Sequence, residues 1–191
     1  MRTPRPTRRA ILAWTLISPL SGAFPAQAAP AGAPRVITML GDSITAGYGL
    51  PAAAALPNQL HLALEALGVA NVVRGAGVSG DTLAGGAGRV DFSVRKDTDL
   101  AIVALGGNDL LQGKDTAFSK GALDTIVKKL QARNIRVLVA GIAAPPQVGG
   151  GYARDFNAIF ADVAKARGVP LYPDLIAGVG RNPALKQADG I

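Results

Sequence analysis

There is no cysteine in this sequence of 191 residues. That excludes a disulfide, a thiolate nucleophile and any metal site built on cysteine. Histidine is nearly absent too: His61 stands alone. Three familiar loop signatures are also missing. A phosphate-binding P-loop ends in Gly-Lys-Ser/Thr, but Gly47 is followed by Tyr48. The G-x-S-x-G nucleophile elbow fails because Thr45 occupies the place of its last glycine. No G-x-G-x-x-G follows the first apolar run. The formal charge is +7, but Arg2, Arg5, Arg8 and Arg9 fall in the first nine residues, which leaves +3 for the remainder. No cluster of Lys and Arg interleaved with aromatics is found there, so no nucleic-acid partner is expected. Neither metal nor cofactor is implied, and there is no internal repeat.

What is present is an apolar chain, 49% hydrophobic, long enough for one domain of ordinary size with a substantial core. Residues 1–28 read as an export signal. A basic start ends in Thr7-Arg8-Arg9, the apolar stretch Ala10 to Leu20 is too short to span a bilayer comfortably, and Ala26-Gln27-Ala28 offers a cleavage site. The paired arginines suit either a twin-arginine or an ordinary secretory route. The mature chain is expected in the periplasm or outside the cell, as a monomer with no membrane span. Lacking disulfides, it must be stable by its core alone. Residues 29–34 are a Pro/Ala/Gly linker, and 35–191 form the domain.

Strands are expected at Val36–Leu40, Asn71–Val73, Leu100–Leu105, Arg136–Ala140 and Val169–Tyr172. Helical patterns fall between them. Leu60, Leu62, Leu64 and Leu67 mark one that stops at Gly68. Lys120–Arg133 and Tyr152–Arg167 each carry an apolar face. Leu83–Val94 is expected to be a broken helix, weakened by Gly85, Gly86 and Gly88. Strands alternating with helices define an α/β fold whose parallel sheet of about five strands, in flavodoxin-like order, is covered on both faces.

Three strand ends run into polar loops: Gly41-Asp42-Ser43, the glycine-rich Gly75–Thr82 containing Ser79-Gly80-Asp81, and Gly107-Asn108-Asp109. In a parallel sheet these share one edge, where open α/β sheets bind ligands. A serine hydroxyl, a glycine N–H and an asparagine amide converging there make a nucleophile with an oxyanion hole. Asparagine offers two donors without charge. Each loop alone has a plainer explanation. Ser43 suits a helix N-cap, and Gly-Asp and Asn-Asp pairs are ordinary turn chemistry. The topology alone would also fit a flavin binder. The loops Tyr48–Pro57 and Ala143–Tyr152 are expected to shape the pocket.

The sequence resembles the SGNH, or GDSL-type, hydrolases, most nearly the bacterial arylesterase and multifunctional thioesterase I branch. The resemblance rests on Gly41-Asp42-Ser43-Ile44-Thr45-Ala46-Gly47-Tyr48-Gly49, Ser79-Gly80-Asp81-Thr82, Leu105-Gly106-Gly107-Asn108-Asp109 and the terminal Asp189-Gly190-Ile191, and covers about Val36 to Ile191. It implies a three-layer α/β/α sandwich. It implies Ser43 as nucleophile, and Gly80 and Asn108 as oxyanion donors. The substrates it implies are acyl esters, thioesters or lysophospholipids, cleaved through a Ser43 acyl-enzyme.

One departure accompanies it. The last motif of these hydrolases is Asp-x-x-His, in which Asp189 would orient a histidine base. The sequence ends at Ile191, where that histidine would come next, and the final helix implied beyond it is not included. His61, inside a predicted helix, is a poor substitute. The chain as written is therefore expected to be nearly inactive, as a truncated copy of an active enzyme. The alternative is a non-catalytic domain that binds acyl ligands and has lost the base.

Overall fold

A computed structural model describes residues 32–180 and 182–187. The expected export signal over 1–28, the first half of the linker and Asp189 lie outside the described residues.

Five strands form one parallel sheet: β1 (Arg35–Gly41), β2 (Asn71–Gly77), β3 (Leu100–Ala104), β4 (Arg136–Ala140) and β5 (Leu171–Tyr172). Their order is β2-β1-β3-β4-β5, the flavodoxin-like arrangement. Six helices accompany them: α1 (Ser43–Ala46), α2 (Leu56–Ala66), α3 (Leu83–Ser93), α4 (Gly107–Leu111), α5 (Thr116–Ala132) and α6 (Gly150–Arg167).

Alternation along the strands builds the layers, because successive side chains point to opposite faces. Leu40, Ala101, Val103, Val137 and Val139 share a core with Leu83 and Val90 of α3, Ile126 of α5 and Phe156 of α6. Their neighbours Ile37, Met39, Ile102 and Ala104 pack on the other face with Leu56, Leu60 and Leu64 of α2. The result is a three-layer sandwich whose strands are apolar on both sides, as parallel sheets require.

Two expectations fail for related reasons. β2 does not stop at Val73 but runs to Gly77, so Gly75, Ala76 and Gly77 are strand and not loop. Likewise α3 is one unbroken helix. In both places glycine marks a close approach. A Cβ on Gly77 would sit 2.3 Å from Ala46 N and 2.8 Å from Asp42 O, and one on Gly86 would sit 2.2 Å from Leu105 Cδ1. The helix loses about 1 kcal/mol per glycine in propensity, and at Gly86 the gain lies in packing that no larger residue permits. α5 also starts earlier than its periodicity indicates, at Thr116, because Asp115 caps it by accepting from Phe118 N at 2.7 Å.

The Gly77 contact is testable. Gly77→Ala pushes on backbone, which cannot move aside as a side-chain tip can. It is expected to cost about 1–3 kcal/mol in urea unfolding. An unchanged unfolding midpoint would contradict the packing described.

Candidate active site

The register sets the site. Gly41, the last residue of β1, pairs with Gly77 of β2 on one side and Ala104 of β3 on the other. Three strands therefore end level, and their loops leave a common edge.

The first loop turns at once into α1. Asp42, not Ser43, is the helix cap: its Oδ1 accepts from Ile44 N at 3.0 Å. The capping role proposed for Ser43 is thus already filled. Ser43 is the first helical residue, its carbonyl accepts from Tyr48 N at 3.0 Å, and its half-buried side chain opens into a cleft of about 410 Å³. Gly47, with φ +73°, ends the turn.

The second loop is a tight turn. Asp81 N donates to Val78 O at 3.1 Å, and Gly80 has φ +81°. That value is what the third residue of a type II turn needs, and glycine adopts it without strain. Nothing lies within 4 Å of where a Cβ on Gly80 would stand, so its edge is open. Val78 N donates to Gly41 O at 3.0 Å, tying this turn to the first loop.

The third loop is helical. α4 carries Asn108, whose Nδ2 donates to Asp81 O at 2.8 Å. One amide hydrogen is thereby fixed and its twin is left to bond elsewhere. Asp109 beside it is buried, accepting from Leu83 N at 2.9 Å and Ser119 Oγ at 2.7 Å. Hydrogen bonds thus link all three loops into one frame, and both donor types sit next to the same residue, Asp81.

His61 is elsewhere. It bonds through Nδ1 to Asn71 Oδ1 at 2.9 Å and faces Glu65 of its own helix at 3.6 Å. Asn71 opens β2, whereas the loops leave its far end at Gly77. Six residue steps of strand separate the two, roughly 20 Å at about 3.3 Å per step. His61 cannot serve Ser43.

Two acids were not legible as site residues. Asp42 is buried, and burial pushes its carboxyl above the ordinary 3.8, with Asp81 and Asp109 adding to the effect and the Ile44 N–H opposing it. A carboxyl raised in the fold contributes stability below its ordinary value, and that contribution is lost as pH rises through the raised one. Ionising Asp42 within the fold therefore carries a cost. Asp42→Asn keeps an oxygen for Ile44 N and removes the charge. Its melting temperature is expected to exceed that of the parent at pH 7, with the gain closing below about pH 4. Equal melting at pH 7 would contradict this. The signal for Asp109 in the sequence is only its place after Asn108.

The cleft at Ser43 is apolar. Ile44, Tyr48 and Leu50 line one side, and Ile176, Val179 and Leu185 the other. The second wall differs from the expectation: the Ala143–Tyr152 loop does not line this cleft, and Ile176, Val179, Gly180, Leu185, Lys186 and Gln187 do. A larger open cleft of about 680 Å³ lies among Asp91, Arg95, Lys96, Asp97 and Arg133. Its carboxylates are already paired, Asp91 with Lys129 at 2.9 Å and Asp97 with Arg74 at 2.7 Å, and no nucleophile lines it.

A parallel sheet in 2-1-3-4-5 order, with polar loops leaving the ends of its first three strands, is the fold of the SGNH hydrolases. The profile of the GDSL-like lipase/acylhydrolase family matches residues 39–191, and the chain belongs to that family. Esterase TesA of Pseudomonas aeruginosa is 34% identical over 160 residues, which are 83% of this chain and 80% of that protein. Thioesterase 1/protease 1/lysophospholipase L1 of Escherichia coli strain K12 is 33% identical over 162 residues, 84% of this chain and 76% of that one. Among solved structures, the SGNH-hydrolase family esterase AlinE4 superposes with a TM-score of 0.79 at 40% identity, covering 84% of this chain and 86% of its own.

Proposed function

We propose that this protein hydrolyses carboxylic esters or thioesters of small molecules through a covalent Ser43 intermediate. The observation that carries this reading is the level ending of β1, β2 and β3, which puts Ser43, the Gly80 turn and Asn108 on one edge of the sheet. Ser43 Oγ adds to the acyl carbon. The carbonyl oxygen takes the negative charge and accepts from the Gly80 N–H and the free Asn108 amide hydrogen. Collapse of this intermediate expels the alcohol or thiol, and water then cleaves the acyl-enzyme to the acid. The acyl chain occupies the apolar cleft between Leu50 and Val179. Residues 1–28 export the chain before it acts.

The serine proton needs an acceptor, and the only histidine among the 191 residues lies at the other sheet edge. Asp189 is assigned the task of orienting an imidazole. Gln187, two residues earlier in the sequence, supports that assignment: its Nε2 donates to Tyr48 O at 3.1 Å, so Gln187 itself lies against the Ser43 loop. Reading the coding DNA beyond the Ile191 codon identifies the acceptor. A histidine codon supplies the base; a stop codon there favours the second reading, a domain that binds acyl ligands without turnover. The chemical test uses a fluorophosphonate on the natural protein. A stoichiometric adduct located by mass spectrometry on Ser43 is expected. Labelling elsewhere, or none, overturns the hydrolase reading.

A further inference from the structure

We propose that Arg89 is a positioning residue for this reaction, fixing the Ser43 loop, the Gly80 turn and the Asn108 amide relative to one another; the proposal rests on the hydrolase reading above. Arg89 projects from the second turn of α3 and touches neither Ser43 nor the acyl cleft. Its guanidinium meets four acceptors instead. Nε donates to Asp81 Oδ2 at 2.6 Å, Nη2 to Gly41 O at 2.9 Å, and Nη1 to Ala76 O at 2.9 Å and Ser93 Oγ at 3.1 Å.

Those acceptors are not a random set. Gly41 O belongs to the peptide that enters Asp42-Ser43 and also receives Val78 N. Ala76 O lies at the end of β2, just before the Gly80 turn. Asp81 closes that turn, and its own carbonyl holds Asn108 Nδ2 at 2.8 Å. The remaining carboxylate oxygen, Asp81 Oδ1, accepts from Thr82 N at 3.0 Å, so the Asp81 side chain is held from both oxygens. A rigid path therefore runs from the guanidinium through Asp81 to each of the two oxyanion donors. A planar fork with five N–H groups can satisfy such an arrangement; a lysine ammonium is a single point and cannot.

The glycines of α3 take on a purpose in this light. A Cβ on Gly85 would stand 1.9 Å from Asp81 Oδ1. Only glycine at that position lets the Asp81 carboxylate lie over the start of the helix, where Arg89 meets it one turn later. Charge points the same way. Burial, with Asp81 and Asp109 nearby adding to it, raises the Asp42 carboxyl above its ordinary value, so negative charge is already disfavoured beside Asp81. An oxyanion forming beside Asp81 adds a further negative charge to that group. The Arg89–Asp81 pair is mostly buried, with side chains 19% and 10% exposed, so solvent screens it little and the cation offsets the carboxylate where the oxyanion forms.

The test compares Arg89→Lys, Arg89→Met and the parent in the full natural protein, with p-nitrophenyl butyrate as substrate and thermal melting alongside. Displacing reacting groups by a fraction of an ångström to an ångström costs on the order of 10²-fold in rate. Both variants are expected to lose about 10²-fold in kcat with KM within about threefold of the parent, since the cleft is untouched. Lysine is not expected to rescue although it keeps the charge. If Arg89→Met does not fold, Arg89→Lys assayed well below its own melting midpoint carries the test. Parental kcat in folded Arg89→Lys, or a loss expressed only in KM, overturns the proposal and leaves the hydrolase reading intact. A natural protein that neither turns over the ester nor takes a fluorophosphonate overturns both.

Discussion

Ser43→Ala is expected to lower kcat for a p-nitrophenyl ester by about 10⁴-fold or more in the natural protein, with the melting temperature unchanged. The second half of that statement follows from the structure as much as the first. Ser43 does not cap α1, since Asp42 does, and the hydrogen bond that Ser43 makes to Tyr48 uses its backbone carbonyl. No contact among the described residues depends on its hydroxyl. Removing one oxygen from a half-buried side chain in a helix leaves fold and cleft intact, so lost turnover reports lost chemistry. Undiminished turnover by a folded Ser43→Ala protein would remove Ser43 from the reaction.

The second large effect concerns Asn108. Asn108→Ala is expected to reduce kcat by about 10²–10³-fold, the usual consequence of losing one oxyanion donor, with KM little changed. Asn108→Asp is the sharper variant because it preserves shape. A carboxylate only accepts, so it can neither donate to Asp81 O nor to the reacting oxygen. It also puts a negative charge where Asp42, Asp81 and Asp109 already interact. The loss should equal or exceed that of the alanine variant. Parental kcat in Asn108→Asp would show that the amide is not a donor in the rate-limiting step.

The part of this arrangement that could be read from sequence is the part that depends on neighbours along the chain. The apolar runs Val36–Leu40 and Leu100–Leu105 each lead directly into a polar loop, and both strands and loops stand where those runs place them. What stayed hidden depends on contacts across the chain. Gly75 and Gly77 read as loop residues because nothing local says that α1 and Pro57 pack against them. Gly86 of α3 reads as a break for the same reason, because the Leu105 side chain that packs on it lies 19 residues further on. Arg89 carries no signal in the sequence, since its partner Gly41 lies 48 residues away. Residues 176–187 carry neither helical nor strand periodicity, and so gave no hint that they wall the cleft. The apparent simplicity of Ser43 as a cap came from reading type without position: the cap lies one residue earlier.

The cleft walls and the three loops descend from different parts of the chain. Ser43, Gly80 and Asn108 follow the ends of strands, locked to a common frame, whereas the apolar walls come from residues 44–50 and from Ile176, Val179 and Leu185, which supply no strand. On the proposed function, substitutions at Leu50, Val179 or Leu185 are expected to change what fits without moving Ser43, Gly80 or Asn108. Such a layout is readily retuned: over generations, or in a library randomised at those three positions, the preferred acyl chain can shift in small steps while the bond-breaking apparatus is inherited unaltered.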